Sequence, residues 1–183
     1  FDFAGAASAF REALALDPRL ALARLNLGIA LFYAGDAPGA EREVSAARSV
    51  RPDLIQPDYL LGLIARTTGR TDVALATFQR VLQRDPDDVG TLINLAQLYR
   101  QQRRDTEALR LFRQAVAAEP YNATAAYGLA QTLIRTGAEA EGEAAMTRLD
   151  LLRDSEFAVT YTQTYLEQGR YAEAVASTGA EPD

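Results

Sequence analysis

The chain has 183 residues; 35 are alanine, none is His, Cys, Trp or Lys, and 19 arginines face 25 acidic residues for a formal charge of −6. Without Cys there is no disulfide framework and no thiolate nucleophile, and without His as well an ordinary structural zinc site and a His-dependent triad are excluded. Net acidity argues against a nucleic-acid surface, and the longest apolar stretches, Leu20 to Ala23 and Gly28 to Ala34, fall far short of the roughly 18–20 residues a membrane span needs.

A fixed period organises the chain. Prolines stand at 18, 52, 86 and 120, each 34 residues after the last and each beside an acidic residue. Glycines at 35 and 69 keep the same spacing, skip Arg103 and return at Gly137; Gly169 follows. Leu27-Gly28, Leu61-Gly62, Leu95-Ala96 and Leu129-Ala130 form a third series in the same register. An ordinary helical bundle has no need of such a spacing.

In chain order, residues 1–20 read as the second helix of a partial unit, with Phe10 and Pro18 in register. Full units follow at 21–54, 55–88, 89–122 and 123–154. In the third, Leu92, Leu95, Ala96 and Tyr99 recur on one helical face. A polar turn at Arg103 to Thr106 interrupts it, and Ala108, Leu111, Phe112, Ala115 and Val116 stripe a second helix that Pro120 closes. Small residues pair at Gly28 with Ala40, Gly62 with Ala74 and Ala96 with Ala108. Phe10, Val44, Phe78, Phe112 and Met146 fill the space between a second helix and its neighbour. The glycines at 35, 69 and 137 fall where the chain turns, a place suited to positive φ. Residues 155–179 are expected to form a shortened terminal unit with Tyr161, Tyr165, Gly169 and Ala174. Phe3 and Phe10 are expected to lie exposed without a preceding helix, so the parent chain is expected to extend upstream.

These motifs resemble tandem tetratricopeptide repeats, 34-residue helix–turn–helix units. Leu95, Ala96, Tyr99, Ala108, Phe112, Ala115 and Pro120 match the family pattern; so do Leu27, Gly28, Ala40, Val44, Ala47 and Pro52, and Leu61, Gly62, Ala74, Phe78, Val81 and Pro86. No unit has the usual Trp near its start. The fourth is degenerate, with Gly142, Met146 and Leu149 at the small–aromatic–small positions and Asp154 for Pro. The resemblance implies an all-α fold, a single right-handed superhelical solenoid of antiparallel helix pairs over 1–183. A weaker resemblance joins residues 148–175 to the end of the repeat region in bacterial ASPIC/UnbV-type proteins, which implies an adaptor at the N-terminus of a larger extracytoplasmic protein.

In that architecture the first helix of each unit lines the concave face. The phase then points Leu25, Ile29, Phe32 and Tyr33, then Tyr59 and Arg66, then Asn94, Gln97, Arg100 and Gln101, and finally Tyr127, Gln131 and Arg135 into a groove, apolar near the N-terminus and arginine-bearing further on. Arginine grips carboxylates and the aromatics give broad contact area, so the expected partner is a protein or peptide with apolar and acidic groups. The alternative is that the apolar members pack internally and the arginines are solvated. The two-carboxylate clamp of chaperone-tail binders is absent: Leu25, Ile29, Leu60, Gly90 with Asn94, or Thr124 with Gly128 occupy its places, and there is no lysine.

Two further clusters have simpler readings. Arg100, Arg103, Arg104, Arg110 and Arg113 gather around one turn with Gln and Asp among them, as a solvated turn does. Glu139, Glu141 and Glu143 alternate along the chain and lack the spacing of a calcium loop. Phosphate-binding glycine loops are missing too. No catalytic activity, metal or other cofactor is expected. The expected function is a protein-interaction scaffold; the alternatives are a recruiting domain of a larger enzyme and a spacer or self-association module.

Overall fold

The computed structural model describes residues 1–153, 158–161 and 168–175. Among them are nine α-helices: α1 (Phe3–Leu16), α2 (Ala21–Tyr33), α3 (Ala37–Val50), α4 (Gln56–Thr67), α5 (Thr71–Arg84), α6 (Val89–Gln101), α7 (Asp105–Ala118), α8 (Ala123–Arg135) and α9 (Glu139–Arg153). A 3-10 turn follows at Arg170–Ala172. The fold class is an all-α solenoid of paired antiparallel helices. Contacts divide the chain into two compact units, residues 1–77 with the segment from Arg170, and residues 78–169. The division falls inside α5.

The helix ends show why the period is 34. Asp2, Asp36, Asp88 and Asn122 precede helices, and their side chains accept from the N–H of Gly5, Gly39, Thr91 and Ala125 at 2.8–2.9 Å. Each satisfies a donor that the first helical turn leaves open. Pro18, Pro52, Pro86 and Pro120 stand just beyond α1, α3, α5 and α7, where the helix can no longer continue.

Every first helix ends in the same left-handed cap. Gly35, Gly69 and Gly137 have φ of 86°, 74° and 83°. The N–H of Gly35 donates to the Phe32 carbonyl at 3.0 Å and that of Asp36 to the Leu31 carbonyl at 2.9 Å, and the pair recurs around Gly69 and Gly137. At Arg103, where the glycine series skips, the chain makes the same two bonds, Arg103 to Arg100 at 3.1 Å and Arg104 to Tyr99 at 2.9 Å, with φ 61°. A side chain at this φ costs about 1–2 kcal/mol, and glycine's larger chain entropy returns about 0.5–1. Arg103→Gly should therefore raise the unfolding free energy by about 0.5–1 kcal/mol in denaturant titration; a loss of stability would count against the cap.

In the first unit α2 packs against α1 and α3 and reaches α4. Gly28 makes this approach possible: a Cβ there would overlap Val44 Cγ2 and come within 3.3 Å of the Ala40 carbonyl oxygen. Ala40, Val44 and Ala47 of α3 are fully buried. Phe3 and Phe10 are half-buried rather than exposed. Phe3 stacks on Tyr33 with ring centroids 5.4 Å apart, so α2 itself gives it cover.

In the second unit α6, α7, α8 and α9 pack in sequence, with α6 also touching α8. Phe112 is fully buried against Gly128, where a Cβ would clash with ring atoms Cε1, Cζ and Cδ1. Ala123, Ala126, Leu149 and Leu152 form a core with Val116 and Met146 beside it. The degenerate unit thus still buries Leu149.

Of the expected shortened unit at 155–179, residues 158–161 and 168–175 are described. Residues 158–161 are extended, not helical: Val159 forms a parallel bridge to Asn122, donating to the Tyr121 carbonyl at 2.9 Å and accepting from Ala123 at 2.8 Å. Tyr161 N–H donates to Thr124 Oγ1 at 2.8 Å and its hydroxyl to Glu119 at 3.1 Å. At these residues the chain pairs by its backbone with the start of α8. Tyr165 lies outside the described residues, and so does Asp154.

Candidate protein-interaction surface

The expected groove residues separate into two kinds. In the first unit Leu25, Ile29 and Tyr59 are buried, while Phe32, Tyr33 and Arg66 are half-buried. Leu27, Ala30 and Leu31 of α2 are buried as well, so this helix is covered nearly all round and Leu25 and Ile29 belong to the core. Phe32 and Tyr33 meet edge to face at 5.2 Å. Burial pushes the Arg66 guanidinium below its ordinary pKa, opposed by nearby Tyr59. The ring of Tyr59 lies 6.0 Å from that of Tyr171, so the C-terminal segment comes back to this face.

The second unit keeps a polar, accessible set. Asn94 is buried and donates to the Gly90 carbonyl at 2.7 Å, within its own helix. Gln97 and Arg100 are half-buried and Gln101 is exposed. Arg100 Nη1 donates to Gln131 Oε1 at 2.5 Å, and the Gln131 amide donates to the Tyr127 hydroxyl. Tyr127 itself is 42% exposed. Arg135 pairs with Asp105. Partial desolvation, then the nearby Arg135 charge, lowers the Arg100 pKa, against the pull of Tyr127 and Asp105. Arg100, Tyr127, Gln131 and Arg135 are therefore one connected surface, with a partly desolvated guanidinium whose side-chain hydrogen bond goes to a neutral amide.

The arginine-rich turn does not form a single site. Arg104 lies 4.4 Å from the centre of the Tyr99 ring and pairs with Glu107, which holds the Glu107 carboxyl below its usual range. Arg113 pairs with Glu141 at 3.1 Å. Arg110 lines a separate open hollow of about 410 Å³ with Gln79, Leu82, Pro86, Tyr99 and Gln114. There Gln79 already donates to the Tyr99 hydroxyl at 2.8 Å and Gln114 to the Pro86 carbonyl at 3.0 Å. Among the described residues no group of three or more Asp or Glu is placed to hold a metal ion. Nor is any helix among them long and apolar enough to cross a membrane.

One contact that periodicity does not single out stands on α2. Asn26 is nearly buried and makes two bonds to one residue: its Nδ2 donates to the Val175 carbonyl at 2.8 Å and its Oδ1 accepts from the Val175 N–H at 2.8 Å. Its partner is 149 residues away, beyond the reach of any local pattern.

Helix pairs repeating at 34 residues, identical caps and small-on-large packing define a helical repeat protein. One tetratricopeptide-repeat family model matches residues 1–66 and 101–158, and another matches 59–123. The chain belongs to the tetratricopeptide-repeat family. No curated protein matches it significantly in sequence. Among solved structures, a crystal structure of MamA superposes with a TM-score of 0.76 at 17% identity, covering 84% of this chain and 90% of that one. MamA 41-end from Desulfovibrio magneticus RS-1 gives 0.74 at 18% identity, with 82% and 85% covered. At this identity the likeness is one of fold. These matches do not bear on the ASPIC/UnbV resemblance of residues 148–175.

Proposed function

We propose that the chain is a non-catalytic interaction scaffold that binds a protein or peptide on the open side of its first helices, the concave face of the family architecture. The connected surface of Arg100, Gln131 and Tyr127 carries this reading. Arg100 is partly stripped of water and close to a second guanidinium, so an incoming carboxylate stabilises it more than the neutral amide now bonded to it. Tyr127 offers a rigid amphipathic ring beside it. An acidic side chain or C-terminus next to an apolar anchor fits that pair. The setting as adaptor of a larger extracytoplasmic protein rests on residues 148–175 alone.

The test is affinity capture with the wild-type chain and an Arg100→Ala/Tyr127→Ala variant as parallel baits. Tyr59 is left intact because it is fully buried and its loss would report on folding. A partner enriched by the wild type and lost from the variant supports the reading. Retention by both baits places binding elsewhere, and capture of only the chain itself favours self-association.

A further inference from the structure

We propose that the first unit holds its own C-terminal segment, Arg170–Val175, as an intramolecular ligand, and that the face beneath it is a peptide site which this segment closes to partners. The inference deepens the reading of the chain as an interaction scaffold and rests on it.

Three observations converge. Asn26 reads Val175 through both its carbonyl and its N–H, the pairing one strand residue offers another, and it places no demand on the side chain at that position. Tyr171 lies against Tyr59 with ring centroids 6.0 Å apart and planes inclined by 58°, while the Arg170 guanidinium lies over the Tyr171 ring, 4.9 Å from its centroid. Between them Ala172 is fully buried, so this position admits only a small side chain. Glu173 and Ala174 are exposed. The face thus selects an aromatic residue, then a small one, and three positions on a residue held by its backbone.

The segment makes one 3-10 turn against α4, then pairs the Val175 backbone with the Asn26 side chain on α2, and by its contacts it belongs to the unit of residues 1–77. Contacts of this kind, a backbone pair plus a ring and a small anchor, are those by which a groove takes a short peptide. Tethered in the same chain, the segment competes at an effective concentration of the order of millimolar. A partner of the same pattern must displace it.

The experiment uses fluorescence anisotropy with a capped, labelled peptide of residues 170–175 and the full chain. Ala172→Arg puts a charge at the buried anchor and releases the segment; Val175→Pro, outside any helix, removes the N–H that donates to Asn26 and gives an independent release. Both released chains should bind the peptide at least tenfold more tightly than the wild type, with helix content by circular dichroism unchanged. Adding Asn26→Ala to either should abolish the gain. Equal binding by wild type and released chains, no binding by a released chain that keeps its helices, or binding indifferent to Asn26→Ala would each overturn the proposal. Capture of a partner dependent on Arg100 and Tyr127 alongside any of these would leave the scaffold reading standing.

Discussion

Phe112→Ala should lower the unfolding free energy by about 3–5 kcal/mol, the range for emptying a buried aromatic site. The ring is fully buried, and on one side it touches the backbone of α8 at Gly128, which has no side chain to move into the space. The cavity therefore persists. Repeat arrays distribute stability unit by unit, so the loss should appear first as early melting of the residue 78–169 unit in hydrogen exchange. A change below about 1 kcal/mol, far under the range for such sites, would mean that Phe112 does not fill the gap between α7 and α8.

Gly128→Ala tests the same contact from the other side. The new Cβ would lie 2.8 Å from Cδ1 of Phe112 and closer to two further ring atoms. A buried ring has nowhere to go, and overpacking of this kind costs about 1–3 kcal/mol. Better helix propensity returns about 1 kcal/mol, so a net loss of up to about 2 kcal/mol is expected. In the Phe112→Ala background the clash is gone, and the same substitution should stabilise by up to about 1 kcal/mol. The double-mutant cycle should thus show a coupling of about 2 kcal/mol, well outside additivity. Additive effects would show that the two sites do not touch.

Part of this packing was legible in the sequence because it repeats. Small residues paired at a fixed offset mark the approach of helices, so Gly28 against Ala40 and a large side chain at Phe112 follow from register; Gly128 stands outside the small-residue series, and its contact with Phe112 does not. The glycine caps at 35, 69 and 137 are legible too; the cap at Arg103 is not, because there the left-handed geometry is imposed by the hydrogen bonds of the helix end rather than by glycine.

The surface was less so. First-helix phase locates Arg100, Tyr127 and Gln131, but it cannot tell that Leu25, Ile29 and Tyr59 are closed off, because apolar side chains line a groove and a core with equal ease. The extended run at 158–161 and the return of Arg170–Val175 to Asn26 break the period. Long-range backbone pairing leaves no trace in local hydrophobic spacing, and a lone Asn within an apolar helix reads as a minor irregularity until its partner is placed.

The most direct test of the scaffold account is the dissociation constant of a purified, captured partner for the wild-type chain and for the Arg100→Ala/Tyr127→Ala variant, with the unfolding midpoints of both baits measured in parallel. The account predicts binding weakened at least tenfold with midpoints that agree. An unchanged dissociation constant in a variant that is as stable as the wild type would contradict it.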